Sequence, residues 1–278
     1  MVIDKDNTYV VTAGDSFAFG HNNFFMYIQD SCNSCINVSR PGVANRFIKH
    51  RIQYGILDIL NKGVQSDNIF VGITWSGINR VSLVDVEKYG DEDYSQKRYM
   101  QPQPIDYLAD EFMFGKEDSD ILWSNFSIGH TDFDPAMKYF GNFYSRYDGI
   151  IGLLECIIDT QRFLENYGIK YMMTTSWNIF KYDYEDWFER RPGEQNDYYI
   201  GGYDTFQYKH CFNYLRPNKL YNYLVDQINF TKFLDIEGIW EYCYEINPQR
   251  NHKIDHHPNK DEIKTLTDNI IKPFIEKL

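Results

Sequence analysis

The stretch Tyr9-Val10-Val11-Thr12-Ala13-Gly14-Asp15-Ser16 decides the fold prediction for this chain. Its first four residues favour a buried strand, and the small residues Ala13 and Gly14 then indicate a tight turn. Open α/β sheets bind ligands at the carboxyl ends of their parallel strands. We therefore predict that Ser16 lies at such an edge as a nucleophile, and that Asp15 holds the bend through hydrogen bonds to backbone amides.

Apolar runs and helical periodicity alternate along the rest of the chain. Strands are predicted at residues 9–12, 36–39, 69–74, 170–174 and 232–235. Helices are predicted at residues 44–60, 147–167 and 260–277, with Gly168 closing the second and Pro273 kinking or ending the third early. This alternation is typical of an α/β fold, and we predict a three-layer α/β/α sandwich around a mainly parallel five-stranded sheet.

The length of 278 residues suits one domain with a core of its own. We therefore treat residues 1–278 as a single domain with two insertions, at about residues 81–130 and 176–217. Both insertions begin at strand ends, where long loops commonly shape substrate access. The second is rich in tyrosine and tryptophan, which suit sugar or acyl recognition and core packing alike.

Composition excludes several classes of partner. The net charge of −12 argues against nucleic acid, because phosphate backbones are bound by basic patches. We find no signal-peptide pattern and no apolar run of about 20 residues, and we expect a cytoplasmic protein without a transmembrane segment. The five cysteines, an odd number, indicate reduced thiols. Cys32 and Cys35 have zinc or redox spacing, but no second pair follows, so we expect a structural role and no metal site.

The segment Asp255-His256-His257-Pro258-Asn259 precedes the last predicted helix. A serine hydroxyl becomes a good nucleophile when an imidazole takes its proton, and a carboxylate orients that imidazole. Asp255 and a neighbouring histidine could supply both groups from one loop. The alternative is a polar loop that only caps the final helix.

Two further segments could supply donors to the oxyanion that forms during acyl transfer. Gly42 follows a predicted strand and could offer its backbone N–H, as could Ser16 itself. Asn79, in Gly77-Ile78-Asn79-Arg80, could offer a side-chain amide. Ordinary turn chemistry explains either segment equally well.

Taken in order, these segments resemble the SGNH, or GDSL-type, hydrolase family, whose blocks are Gly-Asp-Ser, a glycine, Gly-x-Asn-Asp and a late Asp-x-x-His. The resemblance spans the chain from about Tyr9 to its end and implies a flavodoxin-like SGNH fold. The resemblance implies that Ser16 is the nucleophile, that His257 is the base and that Asp255 orients it. It also implies three oxyanion donors, which are Ser16, Gly42 and Asn79. Side chains flanking these blocks are predicted to contact substrate: Asp15, Trp75 and Arg80.

The chain departs from the family pattern at two places. Arg80 stands where the family usually has aspartate, and Asp255-His256-His257 is one residue shorter than Asp-x-x-His. The following Pro258-Asn259 matches shorter versions of the last block, so we prefer His257 to His256 as the base.

The expected activity is hydrolysis of small acyl esters, with O-acetyl groups on carbohydrate as the first choice and no cofactor required. One alternative is a carbohydrate-binding or structural protein that keeps this fold without turnover. Another is a lysophospholipase or thioesterase, which differs in its acyl group. The sequence leaves the natural substrate and the oligomeric state open.

Overall fold

The structure, a computed structural model, describes residues 6–19, 24–28, 32–78, 80–85, 103–104, 122–127, 138–139, 141–177, 219–249 and 257–278. Within these ranges the chain is a mixed α/β protein built on a parallel sheet of four strands. These strands are β1 (Tyr9–Ala13), β2 (Ser34–Asn37), β3 (Ile69–Trp75) and β7 (Lys170–Thr175). Their spatial order is β2-β1-β3-β7, and every neighbouring pair is parallel.

The α-helical segments that accompany this sheet include α1 (Asn45–Asn61), α2 (Arg146–Asn166), α3 (Lys219–Val225), α4 (Ile239–Ile246), α5 (Lys260–Leu266) and α6 (Lys272–Lys277). Parallel strands cannot be joined by tight hairpins, and α1 lies in the crossover from β2 to β3, as α2 does in the crossover from β3 to β7. None of these helices is long and apolar enough to cross a membrane.

Alternating side chains of the central strands belong to two separate hydrophobic clusters. Val11 and Val71 pack with residues of α1 and α2, whereas Val10, Phe70 and Met172 pack with residues of α4, α5 and α6. This is the consequence of strand geometry, in which successive side chains point to opposite faces. Both faces of the sheet are therefore covered by helices, and the strands are apolar on both sides, as buried parallel strands are.

The predicted strands and helices agree with the structure at four strands and at all three helices, with ends shifted by at most two residues. Gly168 closes α2 as predicted, with φ of 67°. The N–H of Ile169 donates to the carbonyl of Leu164, and the N–H of Gly168 donates to that of Glu165. These two bonds form a Schellman motif, which needs a residue in the left-handed region and so favours glycine.

The predicted fifth strand, at residues 232–235, is wrong. Only one parallel bridge forms there, between Met173 and Phe233, with the N–H of Leu234 donating to the carbonyl of Met173. The preceding residues Phe230–Lys232 form a 3-10 turn, capped by the side chain of Asn229. Because this turn occupies the chain up to Lys232, too little extended backbone remains for a strand.

The last helix does not end early at Pro273. It changes into a π turn at Thr267–Ile271 and continues as α6 to Lys277. Proline has no N–H to donate, and it lies in the first turn of α6, where the altered hydrogen-bond pattern of the π turn accommodates it.

A second, antiparallel sheet of three strands was not predicted. It consists of β4 (Arg80–Asp85), β5 (Gln103–Pro104) and β6 (Leu122–Ser127), in the order β4-β6-β5. These strands lie within the first predicted insertion, or begin one residue before it. The second predicted insertion lies outside the described residues beyond Trp177.

Gly14 is required by the close approach of β3. A Cβ added at this position would lie 2.8 Å from the Cβ of Ala18 and 2.9 Å from the Cβ and carbonyl oxygen of Thr74. Gly152, within α2, has no neighbour within 4 Å of such a Cβ. Glycine is therefore required after β1 because a side chain would clash with β3, and not because the backbone has a positive φ.

We expect Gly14→Ala to lower the free energy of unfolding by about 2 kcal/mol, because the new methyl group must displace backbone atoms of β3. Gly152→Ala is the control, with a gain of up to about 1 kcal/mol from helix propensity. Denaturant unfolding measures both. Equal stability of Gly14→Ala and the wild-type protein would contradict this packing.

Candidate active site

Ser16 lies at the carboxyl end of β1, where the chain turns into the 3-10 helix Ser16–Ala18. Asp15 caps this turn, and its Oδ1 accepts a hydrogen bond from the N–H of Phe17 at 3.0 Å. The carbonyl of Asp15 accepts from the N–H of Ala18 at 3.1 Å. Ser16 is half-buried. The turn predicted from the sequence therefore exists, and a side-chain cap defines its backbone.

The turn is also bound to β2. The side-chain oxygen of Asn37 accepts from the hydroxyl of Thr12 at 3.0 Å and from the N–H of Ser39 at 2.9 Å. Its amide nitrogen donates to the carbonyl of Ala18 at 3.2 Å. One residue at the end of β2 thus joins the end of β1 to the end of the Ser16 turn.

The carboxylate of Asp15 is the centre of the site and is completely buried. Besides Phe17, its Oδ1 accepts from the hydroxyl of Ser176 at 2.9 Å. Its Oδ2 accepts from the hydroxyl of Ser76 at 2.8 Å and from Nη1 of Arg80 at 2.9 Å. We call the four side chains of Asp15, Ser76, Arg80 and Ser176 the Asp15 network.

The Asp15 network connects the carboxyl ends of three strands. Ser76 directly follows β3 and Ser176 directly follows β7, whereas Asp15 follows β1. Backbone bonds fix both serines: the N–H of Ser76 donates to Oδ1 of Asn45, at the start of α1, and that of Ser176 donates to the carbonyl of Trp75. Two neutral hydroxyls and one cation therefore surround the buried anion.

Arg80 compensates the charge of Asp15. Its side chain is 16% exposed, its Nη1 also donates to the hydroxyl of Ser76 at 3.0 Å, and its guanidinium carbon lies 5.5 Å from the ring centroid of Trp177. A buried carboxylate is costly without a paired charge and full hydrogen bonding. Arg80 thus has a structural role in this chain as the ion-pair partner of Asp15.

Aromatic rings lie beside the nucleophile candidate. The ring of Phe17, itself buried, has its centroid 4.8 Å from that of Trp177 in an edge-on arrangement. The centroid of the His257 imidazole lies 5.4 Å from the Phe17 centroid. His257 and Ser16, although at opposite ends of the chain, are therefore both next to Phe17, one through space and the other through the backbone.

The start of α5 fixes the position of His257. Pro258 is buried, and Asn259 forms a capping box with Glu262, in which each side chain accepts from the other residue's N–H at 2.9 Å. The amide of Asn247 donates to Glu262 as well. The described residues from Pro258 to Glu262 thus form a helix cap that directly follows His257 in the chain.

The other predicted site residues have different placements. Gly42 has φ of +78° and belongs to the connection from β2 to α1, which the N–H of Arg40 joins to the carbonyl of Gly14 at 3.0 Å. Asn79, Asp255 and His256 lie outside the described residues.

Two of the three predicted substrate contacts need correction. Trp75 is completely buried in the core, where its indole N–H lies 3.5 Å from the sulfur of Met173, so its ring has no surface for a substrate. The Asp15 carboxylate is likewise inaccessible and bound to protein donors. Of the three, only Arg80 retains some exposure.

Sequence reasoning missed Ser76, Ser176 and Trp177 as members of the site. Both serines directly follow a buried apolar strand, and polar residues at that position meet at one edge of a parallel sheet. The signal was therefore present at Ser76 and Ser176. The position of Trp177 depends on the fold of the chain after β7.

No group of three His, Cys, Asp or Glu residues in the described ranges is arranged to hold a metal ion. Cys32, Cys35, Cys156 and Cys243 are free thiols. Burial, together with Cys32, raises the pKa of Cys35 to about 12. Because the thiolate is the reactive form, this environment suits a structural thiol rather than a redox centre.

No protein-family model matches this chain, and comparisons with curated proteins and with solved structures find no match. The assignment of a function therefore rests on the residues of this chain alone.

Arg80→Met should lower the free energy of unfolding by about 3 kcal/mol, because it leaves the Asp15 carboxylate buried beside neutral donors only. Lys62→Met is the matched control, since Lys62, directly after α1, pairs with Asp58 of that helix at 2.6 Å, and such surface pairs contribute about 0.5 kcal/mol or less. Denaturant unfolding compares the two. Similar losses in both variants would show that the Asp15 network is not a major source of stability.

Cys35 should react with iodoacetamide at pH 8 at least about a hundredfold more slowly in the native protein than in denaturant, where its pKa returns to about 8.5. Mass spectrometry of the digested protein measures the modification. Comparable rates in the two states would rule out the buried thiol described here.

Proposed function

We propose that this chain is a serine esterase of the SGNH type, with the three-layer sandwich of that family, which hydrolyses small acyl esters. O-acetyl groups on carbohydrate are the preferred substrate. The observation that carries the proposal is the position of His257 against Phe17, the residue after Ser16. A loop that only caps α5 does not require the imidazole of His257 to lie next to the turn that holds Ser16.

In the proposed mechanism, the hydroxyl oxygen of Ser16 attacks the ester carbonyl while His257 takes the hydroxyl proton. The tetrahedral intermediate then collapses, and His257 returns the proton to the leaving alcohol. Water, activated by the same imidazole, attacks the acyl-enzyme and releases the acid. Asp255 orients the imidazole in this scheme. General-base assistance of this kind contributes about 10²- to 10⁴-fold in rate.

The oxyanion donors in this mechanism are the N–H groups of Ser16 and Gly42 and the side-chain amide of Asn79. Support for Gly42 comes from the bond between Arg40 and Gly14, which keeps the β2–α1 connection beside the turn. Each donor of this type is worth about 10²- to 10³-fold in turnover.

The Asp15 network supports this chemistry by rigidity. An acyl-transfer site must hold its nucleophile within a fraction of an ångström of a fixed geometry, and loops alone rarely achieve this. Here Asp15, the residue before the nucleophile, binds the serines that follow β3 and β7. The N–H of Phe17, the residue after the nucleophile, donates to the same Asp15 carboxylate.

The surroundings of the turn favour a carbohydrate ester over a long-chain acyl ester. Trp177 is half-buried, and the partly exposed guanidinium of Arg80 lies over its ring. Aromatic faces beside polar donors are the common surface for sugars, whereas a lysophospholipase or thioesterase needs a long apolar channel.

Ser16→Ala and His257→Gln should each reduce p-nitrophenyl acetate hydrolysis by at least about 10³-fold, because either change removes a covalent or proton-transfer step. A fluorophosphonate probe should label the wild-type protein at Ser16. Ser66→Ala, in the 3-10 turn Ser66–Asn68 before β3, and His50→Gln, on α1, are the controls and should retain full activity.

Equal hydrolysis by the wild type and Ser16→Ala, with no labelling of Ser16, would overturn the esterase proposal. The alternative of a carbohydrate-binding or structural protein would then be preferred.

A further inference from the structure

The β2–α1 connection, residues 38–44, has an asparagine at each end. Asn37 is the last residue of β2, and Asn45 is the first residue of α1. Gly42, one of the oxyanion donors of the proposed mechanism, lies between them. The mechanism uses neither asparagine, yet each one forms hydrogen bonds through both its side-chain oxygen and its amide nitrogen.

Asn37 joins the start of the connection to the residues after the nucleophile. Its side-chain oxygen accepts from the N–H of Ser39 at 2.9 Å, and its amide nitrogen donates to the carbonyl of Ala18 at 3.2 Å. Ala18 is the last residue of the 3-10 turn that begins at Ser16. One side chain therefore binds both the connection and the end of the nucleophile turn.

Asn45 joins the other end of the connection to the residues after β3. This buried side chain accepts from the N–H of Ser76 at 2.8 Å and donates to the carbonyls of Ser76 at 3.0 Å and Gly77 at 3.4 Å. Bonds to both backbone groups of one residue fix its position and its orientation. Because the hydroxyl of Ser76 donates to Asp15, this second anchor leads to the residue before Ser16.

The N–H of Gly42 lies between these two anchors. The N–H of Arg40 donates to the carbonyl of Gly14, but among the described residues the N–H of Gly42 has no acceptor. Gly42 follows Pro41 and has φ of +78°, as the third residue of a type II turn does, and the N–H of that residue takes no part in the bond that closes the turn. The connection thus offers a backbone donor while both of its ends are bound.

We propose that Asn37 and Asn45 are positioning residues for the oxyanion site. Through the β2–α1 connection they hold the N–H of Gly42 at a fixed distance from Ser16. This inference rests on the proposed esterase function and extends it to the residues that build the oxyanion site. Such donors are effective because they are oriented before the reaction, and a misplacement of about 1 Å in an active site can lower turnover by about 10²-fold.

Asn37→Ala and Asn45→Ala should each lower kcat for p-nitrophenyl acetate by at least about tenfold, with KM changed by less than about twofold. The reason is that a misplaced donor affects the transition state rather than the bound ester. Steady-state kinetics on the full-length variants measures both constants.

Asn229→Ala is the matched control. The side chain of Asn229 caps the 3-10 turn Phe230–Lys232 and accepts two hydrogen bonds from Thr231. Its removal therefore breaks a similar number of asparagine hydrogen bonds outside the site, and kcat should stay at the wild-type value.

Labelling by the fluorophosphonate probe separates positioning from folding. The fraction of molecules labelled at Ser16 after complete reaction counts the competent sites, and kcat is expressed per labelled site. A purely structural role of the asparagines would lower the labelled fraction and leave kcat per site unchanged. A positioning role lowers kcat per site.

Wild-type kcat per labelled site in either folded variant would refute the positioning role, as would a rise in KM at unchanged kcat. If Asn45→Ala does not fold, Asn37→Ala decides, because Asn37 is only half-buried. A wild-type protein without Ser16-dependent hydrolysis would refute the esterase proposal and this one together. Ser16-dependent hydrolysis that neither asparagine variant changes would refute the positioning role alone.

Discussion

The buried carboxylate of Asp15 is the constraint on which the described site depends. A fully desolvated anion is tolerated only where charge and hydrogen bonds compensate it, and here four donors do so. These donors come from the ends of the parallel strands β3 and β7, from the first residue of β4 and from the turn itself. The arrangement of β1, β3 and β7 and the geometry of the Ser16 turn consequently depend on each other, because the Asp15 carboxylate binds both.

The need to compensate the buried charge of Asp15 also explains why residues far apart in the sequence are found together at this site. Arg80 supplies the positive charge that the Asp15 carboxylate requires. The hydroxyls of Ser76 and Ser176 donate hydrogen bonds to the two carboxylate oxygens of Asp15. Gly14, which has no side chain, allows β3 to approach closely at this point.

Much of the fold was predictable because it depends on local patterns. Apolar runs identified β1, β3 and β7, and three- and four-residue periodicity identified α1 and α2 to within two residues. The antiparallel sheet and the missing fifth strand were not predictable in this way. Short strands depend on pairing with distant partners. A turn with a side-chain cap, such as Phe230–Lys232, can prevent a strand from forming in the residues that follow it.

By itself, the sequence determined the alternation of strands and helices, the turn that carries Ser16, and the cap at Asn259 that precedes the last helix. These features follow from backbone propensities and from hydrogen bonds between near neighbours. Only the tertiary structure decided that His257 lies against Phe17, that Trp75 is a core residue, and that Asp15 serves the turn rather than a substrate. Burial and the pairing of charges are set by segments far apart in the chain, so no local pattern could fix them.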